Sequence, residues 1–235
     1  MGKWNWQVFF QDTGGGQTYL QWLMSAWGWT LSVALLALVI ALVVGSLVGI
    51  IRTVPNKALS FFGEAWAEVF RNVPLLVQLF VWYHVLPAIF PVLRSVPSFL
   101  LVVFGLGFFT SARIAEQVKA GIQTLPQGQR YAGLAMGLTL PQVYRYVLMP
   151  MAFRIVIPPL TSESMNIIKN SSVAFAVSIA ELTFFAQQAA EETSRGVEIY
   201  LAVSFLYFIS AFAINRIALL IEHRVQVPGM VGAGK

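Results

Sequence analysis

A chain of 235 residues that is 57% hydrophobic and only 11% charged is too poor in charge for an ordinary soluble domain, where roughly a quarter of residues are charged. Its net charge of +5 is scattered between apolar runs and forms no stripe, which argues against a nucleic-acid-binding surface. The absence of cysteine excludes disulfides, thiolate metal sites and cysteine nucleophiles together.

Roughly 20 apolar residues cross a bilayer core, so the length holds five or six spans with loops and no further soluble domain of normal size. The expectation is a single all-α membrane domain over residues 1–235. Residues 1–26 form an outer amino-terminal segment, and Trp4, Trp6, Trp22, Trp27 and Trp29 gather around the start of the first span, as aromatic anchors do at a membrane interface. From Trp27 to Ile51 no residue is charged, and Gly45 and Gly49 fall about one helical turn apart near the end of the run. This run is too long and starts too late for a cleaved signal peptide. Ala58 to Phe70 mixes Glu64 and Glu68 with aromatics, the pattern of a short amphipathic helix lying at the interface.

Uncharged runs from Val73 to Leu93 and from Ser95 to Ala112 predict two antiparallel spans joined by a short connection. The first is punctuated by Pro74, Pro87 and Pro91. Charges return from Arg113 to Arg154, so residues 113–154 read as a water-facing loop of helices. In it, Gln129 to Met136 predicts a helix, Gly137 a left-handed stop, and Thr139-Leu140-Pro141-Gln142 an immediate restart with capping-box spacing. The restarted helix is expected to end against Pro150. Two short helices hinged at a glycine make either a knob that another protein grips or a connection packed on its own neighbours. Within the same loop, Arg113, Glu116 and Lys119 have the spacing of helical ion pairs.

The fourth span, Ile155 to about Ile179, carries Ser162, Glu163, Asn166, Lys169 and Asn170. At 100° per residue these fall within an arc of about 120°. A lysine centred in lipid costs about 2.5 to 3.5 kcal/mol on insertion scales, so Lys169 must face protein, water or a counter-charge such as Glu163. The stripe lines a path or forms a buried ion pair that fixes packing. Ile199 to Ile221 is the fifth span, preceded by Glu191, Glu192 and Glu198. Arg71 and Gln78, seven apart, read as either packing or gating residues, and His84 among aromatics as an interfacial residue.

Basic residues set the orientation. With the amino terminus outside, eleven fall on the cytoplasmic side (Arg52, Lys57, Arg71, Arg113, Lys119, Arg130, Arg145, Arg154, Arg216, Arg224, Lys235) and three outside (Lys3, Arg94, Arg195), as the positive-inside rule requires. No Gly-x-x-x-x-Gly-Lys-Ser/Thr run is present, so the chain has no phosphate-binding loop of its own. Two distant histidines without cysteine are a poor basis for a membrane-embedded enzyme. A stand-alone secondary transporter would be expected to show internal repeats, and none is visible.

Ala132, Gly133, Gly137, Val147 and then Met149-Pro150 resemble in spacing the Glu-Ala-Ala, Gly, Ile-x-Leu-Pro loop of ABC-importer permeases, departing at Tyr131, where the pattern has glutamate, and at Gly133, Val147 and Met149. Phe70-Arg71-Asn72-Val73-Pro74-Leu75-Leu76-Val77-Gln78, Ile168-Lys169-Asn170-Ser171-Ser172 and Ala180-Glu181-Leu182-Thr183 are similar to further signatures of the polar amino acid branch. Arg52-Thr53-Val54-Pro55-Asn56 and Tyr144-Arg145-Tyr146-Val147-Leu148 look most like its glutamate/aspartate-type members.

The resemblance implies a MetI-like permease fold of five transmembrane helices in the bacterial inner membrane, moving acidic or other polar amino acids such as glutamine into the cytoplasm. It implies a coupling role for Ala132, Gly133, Gly137, Thr139, Pro141 and Pro150, while the span-four stripe makes Glu163, Asn166, Lys169, Asn170 and Ser171 the candidate substrate path. Arg71, Gln78 and Glu181 are the gating candidates. The implied partners are a cytoplasmic ABC ATPase dimer, a second permease that is a paralogue or a copy, and a periplasmic substrate-binding protein. No cofactor or metal is expected on this chain, since ATP and Mg belong to the ATPase.

Overall fold

The computed structural model describes residues 4–225; Lys3 and Lys235, which enter the basic count, lie outside the described residues. Helices dominate: α1 (Tyr19–Ile51), α2 (Lys57–Asn72), α3 (Leu75–Phe80), α4 (Leu86–Ile89), α5 (Ser98–Gln123), α6 (Gln127–Ala135), α7 (Leu140–Val143), α8 (Met149–Asn170), α9 (Leu182–Thr193) and α10 (Gly196–Val225). Among the described residues α1, α5 and the Gly196–Glu222 part of α10 are long and apolar enough to cross a membrane. Two broken pairs, Lys57–Asn72 with Leu75–Ile89 and Leu140–Val177 with Leu182–Thr193, raise the number to as many as five.

Two compact units share these helices. The first takes residues up to Leu38, Pro74–Gly107 and Met165–Ala213; the second takes Val39–Val73, Phe108–Ser164 and the chain from Ile214 on. In the first, a short 3-10 turn (Trp6–Phe10) lays Val8 and Phe9 into a core with Tyr19, Leu23, Phe185, Ala189 and Ile199. Trp22 stands edge-on to Phe185 at 5.0 Å, Trp29 edge-on to Phe99 at 5.3 Å, and Trp27 Nε1 donates to Ser210 Oγ at 2.8 Å. Of the five expected anchors, Trp22 and Trp27 are half-buried, while Trp4, Trp6 and Trp29 stay exposed. α1 starts eight residues ahead of Trp27, the expected start of the span, because Tyr19 and Leu23 have this core to enter.

In the second unit, α1 and α5 cross at the two glycines the sequence singles out. A Cβ on Gly45 would lie 2.7 Å from Ile114 Cβ and from the Ser111 carbonyl oxygen; one on Gly49 would lie 2.7 Å from Val118 Cβ. The backbones approach this closely only without side chains, as in small-xxx-small helix pairs. This contact also explains why α5 does not stop at Arg113, as expected, but runs on to Gln123. Its Ile114, Ala115 and Val118 are fully buried, while the charges occupy its other sides.

Two π turns interrupt the helices ahead of prolines, the second where the sequence predicts a helix end. Val81–Val85 joins α3 to α4, with Leu86 N–H reaching Val81 O, and Tyr144–Leu148 joins α7 to α8, with Met149 N–H reaching Tyr144 O. The i→i+5 pairing shifts the hydrogen-bond ladder just ahead of Pro87 and Pro150, which have no N–H to contribute. Pro150 therefore does not terminate its helix, and α8 continues through it. Residues 113–123 and 149–154 of the expected water-facing loop are accordingly parts of α5 and α8.

Candidate functional site

The knob between α5 and α8 is built as its sequence dictates. α6 ends at Gly137, whose φ is +85°, with Leu138 N–H on Gly133 O at 3.1 Å and Gly137 N–H on Leu134 O at 3.0 Å, a left-handed closure that glycine adopts without steric cost. α7 restarts at once: Thr139 N–H and its hydroxyl both donate to Gln142 Oε1, at 2.8 and 2.9 Å, and Pro141 lies in the first turn. Gly133 lets the two helices close on each other, since a Cβ there would sit 3.0 Å from Val143 Cγ2. Val143, Tyr144 and Leu148 are buried, whereas Ala132, Met136, Pro141, Tyr146 and Pro150 face outward. One face of the loop packs on its own unit and the other is exposed. Tyr144 fixes the knob by donating from its hydroxyl to Thr53 O at 2.8 Å, immediately after α1.

Behind the knob lies an ionic cluster that helical spacing does not show. Arg52 Nη2 donates to Glu64 Oε2 at 2.6 Å and to Glu116 Oε1 at 2.8 Å; Arg71 Nη1 reaches the same Glu116 oxygen at 2.9 Å, and Lys119 pairs with Glu64. Glu116 thus serves residues of α1's end and of α2 in place of its expected neighbours Arg113 and Lys119. The Arg52 side chain is 2% exposed, lodged where Gly63 leaves room: a Cβ at position 63 would lie 2.5 Å from Arg52 Cγ. The hydrogen bond from Arg52 holds the Glu64 carboxyl down at about 2, against the upward push of burial, and Lys119 adds to the lowering. The only sequence signal for the cluster is that Arg52, Glu64, Arg71 and Glu116 each stand beside an apolar run and need a partner.

Along α8 the expected stripe divides. Glu163 accepts from Arg113 Nε at 2.9 Å and from Gln117 Nε2 at 3.2 Å, so Arg113 is its counter-charge. In the first unit, Lys169 is exposed and forms no ion pair among the described residues, with Asn166 and Asn170 half-buried on the same helix. Ser171 points inward: its hydroxyl is buried and donates to Ile168 O at 2.7 Å. A helix that offers an unpaired ammonium and two amides on one side supplies up to seven N–H donors to an anionic solute.

The gating candidates separate as well. Arg71 belongs to the ionic cluster, while Gln78 is buried in α3 beyond the break at Val73 and Pro74, so no single helical face carries both. Glu181 caps α9. It accepts Thr183 N–H and Phe184 N–H, each at 2.9 Å, and the Tyr207 hydroxyl at 2.6 Å. Leu182 N–H is taken by Thr30 Oγ1 at 3.1 Å, so the amino-terminal donors of α9 are met by side chains inside an apolar core. His84 is exposed, edge-on to Tyr83 at 4.7 Å.

Comparison with known proteins places this arrangement among relatives. Residues 41–227 match the family described as binding-protein-dependent transport system inner membrane component. The glutamate/aspartate import permease protein GltJ of Escherichia coli K12 is 42% identical over 240 residues, covering 97% of this chain and 98% of that protein. The glutamine transport system permease protein GlnP of the same organism is 33% identical over 198 residues, 84% and 90% of the two chains. Among solved structures, an amino acid ABC transporter with histidines superposes with a TM-score of 0.76 at 29% identity, covering 88% of this chain and 95% of that one. An inward-facing MetNI methionine ABC transporter reaches 0.77 at 21% identity, covering 92% and 100%, and supports the fold alone.

Proposed function

This chain belongs to the binding-protein-dependent transport system inner membrane components, a permease family, and from that premise we propose that it imports acidic amino acids, glutamate and aspartate, from periplasm to cytoplasm. The observation that carries the substrate is the near full-length 42% identity to a glutamate/aspartate import permease. The donor-rich side of α8 is consistent with it: a carboxylate-bearing solute leaving water needs compensating donors, and Asn166, Lys169 and Asn170 offer them. On this reading α8 carries the path, with Glu163 and Arg113 as a structural pair along it. Glutamine is the second substrate reading, supported by the weaker likeness to a glutamine permease.

The knob at residues 127–150 is the coupling element. Its free face, with Ala132, Met136, Pro141 and Pro150, meets a cytoplasmic ABC ATPase dimer that binds ATP and Mg and performs the hydrolysis. A second permease subunit and a periplasmic substrate-binding protein complete the complex. The amino terminus is periplasmic and the carboxyl terminus cytoplasmic, as the basic asymmetry of the sequence requires.

The test is uptake by proteoliposomes holding the complex of this chain with its ATPase and binding protein. Labelled glutamate and aspartate should enter only with ATP, and excess unlabelled glutamine should not compete. Transport of glutamine in preference would overturn the substrate assignment. A single cysteine in place of Gly15 should react with an impermeant reagent in intact spheroplasts and one in place of Gly234 should not; the reverse pattern would overturn the orientation.

A further inference from the structure

We propose that the cavity beside Arg130 is a receptor for a carboxylate of the ATPase partner, so that the permease contributes the cation at this joint; the proposal rests on the reading of the chain as an ATPase-coupled permease. Two independent observations carry it. The first is compositional: no Asp or Glu occurs between Glu116 and Glu163, while Lys119, Arg130, Arg145 and Arg154 all fall in that interval. The coupling knob therefore has cations and no carboxylate of its own.

The second is structural. A cavity of about 450 Å³ opens between the knob and the end of α5, lined among others by Arg52, Gln123, Gln127, Arg130, Tyr131 and Tyr144. Arg130 Nε is buried and has no hydrogen-bond partner among the described residues, and neither do Nε and Nη1 of Arg52. The ionic cluster on the Arg52 side sets three cations, Arg52, Arg71 and Lys119, against two carboxylates, Glu64 and Glu116. The cluster is thus one charge positive before Arg130 is counted, and nothing in the knob offsets it.

Buried guanidinium donors left unpaired are costly, and an apolar or cationic insert would leave them so. A carboxylate offers two oxygens that match the planar fork of a guanidinium. Tyr131 at the cavity is 61% exposed, and Met136 at the end of the same helix is 75% exposed. Tyrosine, methionine and arginine presented together are the residues enriched at protein interfaces. The occupant that fits is an Asp or Glu side chain projecting from the ATPase.

The experiment uses the intact complex in detergent. Arg130→Glu should lower the amount of ATPase retained on the permease about tenfold or more at physiological salt, the scale of a central arginine at an interface. Arg130→Lys should retain it, and raising salt should weaken the wild type towards the charge-reversed variant. In the Arg130→Lys complex a zero-length carbodiimide should join the introduced amine to one Asp or Glu of the ATPase, located by peptide mapping. That arm does not depend on how well the charge-reversed chain folds.

The proposal is overturned if Arg130→Glu retains the ATPase as the wild type does, or if the introduced amine couples only to carboxylates of its own chain or to none. It is equally overturned if the reversal lowers binding to vesicles containing anionic lipid and leaves the ATPase in place. A wild-type chain that retains no ATPase overturns the coupling assignment itself, and the proposal with it.

Discussion

Arg113 donates from Nε to Glu163 Oε2 at 2.9 Å, and the carboxylate it holds is only 7% exposed. The pair ties α5 to α8 and commits the one acid of the α8 stripe to a structural partner. Lys169 is exposed and forms no ion pair among the described residues, and under the proposed function it is the cation that meets the substrate carboxylate.

Lys169→Met keeps side-chain length and removes the charge. A charge-assisted hydrogen bond is worth about 1.5–3 kcal/mol, so glutamate and aspartate uptake should fall roughly tenfold or more, with complex assembly and binding-protein affinity unchanged. Normal uptake by an intact complex would make Lys169 a packing residue.

Gly137 tests the hinge. Nothing lies within 4 Å of where its Cβ would be, so the cost of substitution is confined to the backbone at φ +85°. A β-branched residue in left-handed geometry costs about 1–2 kcal/mol or more, whereas asparagine tolerates it. Gly137→Val should uncouple ATP hydrolysis from uptake and Gly137→Asn should preserve coupling. Equal coupling in the two variants, measured as amino acid moved per ATP hydrolysed, would remove the hinge from the account.

Gly45 tests the helix crossing. Gly45→Leu forces side-chain atoms into the Ile114 side chain and the Ser111 carbonyl, an overpacking of the kind that costs about 1–3 kcal/mol. Thermal unfolding of the detergent-purified chain should shift downward, whereas Gly28→Leu, which meets nothing within 4 Å, should leave it unchanged. No difference between the two variants would mean that α1 and α5 do not meet at Gly45.

The ionic cluster predicts a pH dependence with a definite sign. Glu64 has its folded-state pKa held down at about 2, chiefly by Arg52, against an unfolded value of about 4.3. Its contribution to stability is therefore complete above pH ~4.3 and is lost as pH falls through about 2. The difference in unfolding temperature between wild type and Glu64→Gln should be constant near neutral pH and shrink between these limits. A difference that widened with acidification would contradict the pairing.

Much of this architecture was legible in the residues because its cause is local. Three of the five apolar runs, the left-handed stop at Gly137 and the capped restart at Thr139 depend on hydropathy and backbone sterics within a few positions, and the structure has them where the sequence puts them; the runs from Val73 and from Ile155 fall instead in bent helix pairs. Gly45 and Gly49 stood out as a pair one helical turn apart, but the α5 backbone that packs against them did not.

Partner choice was decided by tertiary structure. Glu116 sits three residues from both Arg113 and Lys119, yet pairs with Arg52 and Arg71, while Arg113 turns to Glu163 and Lys119 to Glu64. An exposed helical ion pair is worth only a few tenths of a kcal/mol, whereas the buried Arg52 guanidinium would suffer a large desolvation penalty if left unpaired. The acids go where the penalty is greatest, and burial is a property of the packed helices that no spacing along the chain records.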